Sequence, residues 1–429
     1  VSETGRRRAI AVVFFVVFLD LLGFSIVIPI LPFYTRFFGG NELVIGAVAA
    51  TYSLTQFLFA PVLGTLSDRY GRRPVLMLSV AGSVIAWTLF GLANGLVLLF
   101  VSRGLAGAMG GNISTAQAYV ADVTPPADRA QALGLLGAAF GLGFIFGPAI
   151  GAVLSFDAVV AAVDGLLPAI IPINRFSLPA FAAATASFVA LTVAFFFLPE
   201  SRERQTAAGK SQWGQLLDAS RNPDVRGLLM AFFLLSFAFS GVQVMFIPFV
   251  ADIYGYSESQ AALLLTYIGV LAVTVQGGLI GPLTRRFDEP TLTVAGAGLL
   301  LVALTSIPFA PELGGVFPSL TGVAPFLTPA LLALLFVLGL LALGNGVVNV
   351  TLSALVSRKA SAERQGSAFG LTQSAGSLAR TVGPVLMGGA YTAIAFWSPF
   401  VLGGLLLLPV VGLAIVFRRQ DRTAGVGAD

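Results

Sequence analysis

The chain has 429 residues, 57% of them hydrophobic and 10% charged, with 24 Lys and Arg against 20 Asp and Glu for a net charge of +4. A soluble globular domain carries about 25% charged residues, and a mean hydropathy of +0.92 excludes that class. The sequence contains no cysteine or histidine, which removes disulfide, thiolate and histidine–metal chemistry, so no metal site and no cofactor is expected.

Apolar runs long enough, as helix, to cross about 30 Å of hydrocarbon recur from end to end. In chain order they predict spans at 9–34, 43–66, 75–93, 96–120, 131–155, 178–198, 224–250, 258–283, 291–309, 329–356, 365–391 and 396–417, twelve in all. A transmembrane barrel would need alternating segments of about 10 residues instead. The first run lacks a small-residue cleavage signal and reads as a retained span. Of the 24 Lys and Arg, 20 fall in the tails and in every second loop, and only Arg36 and Arg175 lie in the opposite loops. Basic residues collect on the cytoplasmic side, so both termini are expected inside, in the cytoplasmic membrane of a prokaryote. The basic clusters are topology signals, and nucleic acid is not an expected partner.

Residues 199–223, PESRERQTAAGKSQWGQLLDASRNP, form the one long charged polar stretch and divide the spans six and six. The expected organisation is a six-helix bundle over 1–200, a cytoplasmic linker over 201–223 and a second bundle over 224–429. In the linker, Trp213, Leu216 and Leu217 share one side of a short amphipathic helix suited to a membrane surface. The halves echo each other. GLGFIFGPAIGA (141–152) in span 5 answers LARTVGPVLMGGA (378–390) in span 11, and each follows an acid–Arg pair, Asp128-Arg129 and Glu363-Arg364. Six spans per unit make a parallel repeat, as in transporters that rock two bundles about a site at their interface. The segments 156–176 and 311–328, apolar and rich in Pro and Gly, either fold over the external mouth or act as spacers.

The most specific motif is GTLSDRYGRRPVL, residues 64–76. Gly64 allows close helix packing, and Gly71 allows a tight turn with positive φ. Asp68 stands at the cytoplasmic rim, where a carboxylate can face the N–H groups of a neighbouring helix start. Arg69, Arg72 and Arg73 add donors there. A topogenic loop would explain the arginines but not the glycine and aspartate spacing. In span 5, Gly143, Gly147 and Gly151 recur on one face for close helix approach, and Pro148 bends the helix. Their expected partner is span 8, through GGLIG at 277–281. By itself the motif can serve packing alone.

These stretches together resemble the major facilitator superfamily, and most closely its drug/proton antiporter branch with twelve spans, which includes the tetracycline/proton antiporters. LGFSIVIPILP (22–32), LFVSRGLAGAMGG (99–111), GLGFIFGPAIGA and LPES (198–201) resemble the branch's first-, fourth-, fifth- and sixth-span patterns. The likeness covers nearly the whole chain, and it implies an antiporter role for the span-5 motif as the alternative to packing alone. It implies an all-α membrane fold of two pseudo-symmetric six-helix bundles that work by alternating access. It also implies that Asp68 caps the start of span 11 near residues 362–367 and, with Arg72 and Asp122, forms a cytoplasmic latch holding the outward-facing state.

Of the 20 acids only Asp20 lies deep, 11 residues beyond Ala9 or about 16 Å of helix. An ionised acid at mid-membrane costs roughly 2.5–3.5 kcal/mol, and desolvation favours its protonated form. Asp20 is therefore the expected proton carrier. Arg103 in span 4 is its expected partner, directly or through water; the alternative is a buried pair that only fixes spans 1 and 4. Arg380 in span 11 has no buried acid in its own half and must pair with Asp20, with carbonyls and water, or with an anionic group on the substrate. Further cavity candidates are Tyr52, Gln56, Asn112 and Gln117, then Gln243, Tyr267, Gln276, Asn345, Asn349, Gln373 and Trp397. The resemblance implies a functional acid in span 9, and this chain has none there, which tilts the substrate toward an anionic or zwitterionic compound.

The expected function is proton-coupled efflux of a small amphipathic compound by a monomer surrounded by membrane lipids. A lipid or glycolipid translocator, an uncoupled facilitator and a non-transporting receptor are the alternatives. An enzyme is not expected.

Overall fold

The computed structural model describes residues 3–110, 112–125, 128–166, 168, 171–201, 223–359 and 365–416. Every regular element among them is helical, as hydrocarbon requires of a chain that must satisfy its own backbone groups. Eleven helices of the described residues are long and apolar enough to cross a membrane. They match the expected spans 1–10 and 12. Where the eleventh was expected lies a 29-residue helix, Gln365–Ala393, whose Gln, Ser, Thr and Arg side chains lower its hydropathy.

The chain divides into two compact units. The first comprises Val1–Gly209 together with Val250–Gly269, so it takes in the end of one later span and the start of the next. The second comprises Lys210–Phe249 and Val270–Asp429. The linker helix expected near Trp213 lies outside the described residues.

In the first unit the helices are α1 (Glu3–Val27), α2 (Leu31–Phe37), α3 (Glu42–Tyr70), α4 (Arg72–Gly91), α5 (Leu96–Met109), α6 (Asn112–Val123), α7 (Arg129–Leu154), α8 (Asp157–Asp164) and α9 (Ser177–Phe197). Helix α1 packs on α7 and α9, α4 on α9 and α5, and α3 on α5. One apolar cluster centres on Val13, Val16, Tyr119 and Leu136, and another on Tyr34, Trp87, Phe90 and Leu99. Local chemistry sets the helix ends: the Asn41 side chain accepts the Val44 N–H to start α3. Within the spans many hydroxyls bond back to their own helix, as Thr51 does to the Ala47 carbonyl at 2.8 Å. Helix α8, in the long segment 156–176, buries none of its residues.

Helix α10 (Pro223–Tyr254) and α11 (Glu258–Thr274) each begin in one unit and end in the other. After α11 a π turn, Val275–Leu279, leads into α12 (Ile280–Arg286). The second unit continues with α13 (Glu289–Ser306), α14 (Pro329–Lys359), α15 (Gln365–Ala393) and α16 (Ser398–Leu405). Helix α13 packs on α14 and α16, with the buried hydroxyls of Thr293 and Thr351 joined at 2.8 Å. The segment 311–328 holds only short turns, and its Val316 and Val323 are more than four-fifths exposed.

Candidate functional site

The motif at 64–76 forms the junction of α3 and α4. Gly71 turns the chain at φ +104° and a Cβ there would collide with the Glu200 carboxylate, so glycine is required twice over. Arg72 follows, nearly buried, and its guanidinium reaches three partners. Nη2 lies 2.8 Å from Asp68, Nε donates to Asp122 at 3.0 Å, and Nη1 donates to Ser67 Oγ at 2.6 Å. Ser67 in turn donates to the Gly64 carbonyl. Arg69 stacks over Tyr70, and Arg73 donates to the Phe195 carbonyl at 2.6 Å.

Glu200 was quoted in LPES without a role, and it has one. Its carboxylate accepts the backbone N–H groups of Arg72 and Arg73 at 2.9 and 3.2 Å, at the positive start of α4. The signal was available in an acid that closes a span opposite a helix start. The expected cap of Asp68 on span 11 falls at side chains outside the described residues.

The glycine face of α7 packs against α1; the expected partner, GGLIG of span 8, belongs to the second unit. A Cβ on Gly147 would collide with the Ser25 side chain, and one on Gly151 would stand 2.8 Å from the Ile26 carbonyl oxygen. Ser25 Oγ donates to the Gly143 carbonyl at 2.6 Å, which is why the two backbones approach so closely here. Within the first unit, span 8 touches α7 where Ser259 Oγ donates to the Ala152 carbonyl at 2.9 Å.

Asp20 sits at mid-α1, half-buried. Arg103 is 4% exposed and forms no ion pair among the described residues. The sequence expects Arg103 to meet Asp20 directly or through water; in the structure its guanidinium stands among three aromatic rings. The guanidinium carbon lies 4.6 Å from the Tyr52 ring centre, 5.5 Å from Phe24 and 5.9 Å from Trp87. These ring faces, on α1, α3 and α4, attract the cation. Asp20 and Phe24 are four residues apart and share one side of α1, so acid and cage occupy adjacent turns. Gln56 joins this region by donating to the Gly110 carbonyl at 3.0 Å and to the Tyr52 hydroxyl at 3.4 Å. Gln117 is exposed, and the Asn112 side chain lies outside the described set.

In the second unit Asn349 donates to the side-chain oxygen of Asn345 at 2.8 Å, and Gln276 lies on the π turn beside Gly346. Arg380 donates to its own helix at Ser377 Oγ, 2.9 Å away. Gln243 is half-buried and Trp397 exposed, while Tyr267 belongs to the first unit. The Gln373 side chain is outside the described set.

Two arginines noted for topology alone hold segment 250–269 within the first unit. Arg36 pairs with Glu42 at 2.6 Å and with Asp252 at 2.7 Å. Burial alone would weaken its hold on the proton, but hydrogen bonds to Asp252 and then Glu42 outweigh this and raise it above its ordinary range. Arg175 pairs with Asp157 at 3.1 Å and approaches buried Glu258 at 3.8 Å.

Comparison with known proteins agrees with this architecture. Residues 13–324 match the model of the Major Facilitator Superfamily. The class C tetracycline resistance protein of Escherichia coli is 29% identical over 417 residues, covering 94% of this chain and 95% of its own. Major facilitator superfamily domain-containing protein 10 of Bos taurus is 28% identical, covering 95% and 92%. The crystal structure of the human organic anion transporter MFSD10 (TETRAN) superposes with a TM-score of 0.65 at 25% identity, over 95% of this chain and 99% of that one. An all-helical chain carrying these motifs and this family match is an integral membrane transporter, not an enzyme: it belongs to the Major Facilitator Superfamily.

Proposed function

We propose that the protein exports a small amphipathic organic compound in exchange for protons, by alternating access across the cytoplasmic membrane. The observation that carries the reading is Asp20: a half-buried carboxylate at the middle of a span, one turn from Phe24, whose ring Arg103 stands over, in a chain without histidine. A carboxylate at this place can take up and release the proton during a transport cycle. Ionised, Asp20 competes with the Tyr52 ring for Arg103; protonated, it leaves Arg103 to the cage. One proton crossing 100 mV supplies about 2.3 kcal/mol, roughly a 50-fold accumulation.

The pairing of Arg72 with Asp68 and Asp122 supports a latch role at the rim, where charge-assisted contacts bias one of two states. Relatives that are tetracycline resistance proteins support a drug-like cargo. Helix α13 carries no acid after Glu289, and one structural relative is an organic anion transporter; both favour a cargo with an anionic portion over tetracycline itself. The test uses proteoliposomes with an imposed pH gradient. Cargo should drive proton movement in wild type and not in Asp20→Asn; a variant that still moves protons with cargo overturns the assignment.

A further inference from the structure

We propose that the seam between α4 and α9 holds a phospholipid of the surrounding bilayer, with its phosphate on Arg73 and an acyl chain in the groove beside it. A groove of about 620 Å³ lies along this seam. Arg73 and Glu200 stand at its head, and Met77, Leu78, Ala81, Leu191 and Phe195 form its walls. From Arg73 to Ala81 is eight residues, or about 12 Å of helix. The head adjoins the turn between two membrane spans, Glu42–Tyr70 and Arg72–Gly91, so it lies at a membrane face. A charged end at that face and an apolar run leading inward match the polarity of a lipid.

Arg73 supplies the recognition. It is half-buried, and its guanidinium makes one hydrogen bond, from Nη2 to the Phe195 carbonyl at 2.6 Å. It forms no ion pair among the described residues, whereas Asp68 and Asp122 match the charge of Arg72. Glu200 stands at the same head, but its carboxylate accepts the backbone N–H groups of Arg72, Arg73 and Ser201 and faces the positive start of α4. The guanidinium charge is left to be matched, and the Phe195 carbonyl holds it at the top of the groove. An arginine fork suits a phosphate, whose oxygens accept two of its donors at once.

The walls suit a chain. Leu78 and Phe195 are 52% and 53% exposed, which in a membrane span means open to hydrocarbon. A second groove on the same seam, of about 340 Å³, is lined by Thr88, Leu92, Ile171, Ile173, Leu178 and Phe181 and carries no charged side chain. It can take a chain but has nothing to select a phosphate, so the charge complementarity belongs to the Arg73 end alone. Basic pockets between spans are where phospholipid head groups are held.

The inference requires that the chain spans a bilayer and is independent of proton exchange, so the two can fail separately. Full-length protein stripped of lipid in detergent is titrated with phosphatidylglycerol, with diacylglycerol of the same chains and with glycerol phosphate, and bound molecules are counted by native mass spectrometry. Phosphatidylglycerol should bind at least fivefold more tightly than either fragment. Arg73→Gln should weaken it at least fivefold, and Arg69→Gln, which removes the same charge from the same turn, should not. Ala81→Trp keeps Arg73 and fills the groove; it should weaken binding equally, so a poorly folded arginine variant does not decide the matter. Diacylglycerol binding as tightly as phosphatidylglycerol would reduce the groove to apolar packing. Equal losses in Arg69→Gln and Arg73→Gln would mean general surface attraction, and binding that survives both Arg73→Gln and Ala81→Trp would put the lipid elsewhere. Each of these three results overturns the proposal.

Discussion

Arg36 and Asp252 meet as a two-pronged pair: Nη1 donates to Oδ1 at 2.7 Å and Nη2 to Oδ2 at 2.9 Å, although 216 positions separate them. Glu42 takes the remaining donors at 2.6 and 3.1 Å. The Asp252 side chain is 38% exposed, so the contact is worth about 1 kcal/mol at most, or roughly a five-fold change in an opening equilibrium. The cysteine-free background makes that measurable. Ser259 is buried against the Ala152 carbonyl, and a cysteine placed there reports release of the segment. Arg36→Ala should raise its labelling rate about five-fold, and Asp252→Asn similarly. Unchanged labelling in both would show that the arginine does not hold this segment.

Arg72 uses three of its nitrogens on three different partners, Asp68, Asp122 and Ser67. A lysine is a point charge on a flexible stem and cannot reproduce that fork. Arg72→Lys should therefore lose most of the transport that Arg72→Ala loses, with a fall in stability of about 1–3 kcal/mol in either, as for a charged hydrogen bond removed. Thermal unfolding in detergent and cargo flux in vesicles check the two parts. Full rescue by lysine would reduce the cluster to simple charge placement.

Ser25 and Gly147 set how closely α1 and α7 pack. Gly147→Ala should cost about 1–3 kcal/mol by overpacking, because the new methyl meets Ser25. Ser25→Gly should cost about 1 kcal/mol through the lost bond to the Gly143 carbonyl. Combined, the two substitutions should be less damaging than their sum, a coupling expected of groups in contact. Additive losses in thermal unfolding would mean that α7 relaxes away from α1.

Span lengths and the turn at 64–76 were legible because both rest on local chemistry, apolar run length and a glycine that must adopt positive φ. What escaped depends on which helix faces which. Glycine spacing on α7 does not name its partner, and that Ser25 of α1 reaches the Gly143 carbonyl is visible only in space. Depth along a helix carries no information about rotation, so the three rings from three different helices that stand around the Arg103 guanidinium were not legible. Glu200 and Asp252 were visible as charges near span ends; their targets, the α4 N-terminus and Arg36, are set by tertiary packing alone.

Asp20→Asn fixes the mid-span position in a neutral form and so separates proton coupling from cargo movement. Adding cargo outside proteoliposomes should alkalinise the lumen in wild type, as protons leave while cargo enters. Asp20→Asn should show downhill cargo flux with no pH change. A lumen that acidifies instead would mean that cargo and proton move together, and would replace exchange by co-transport.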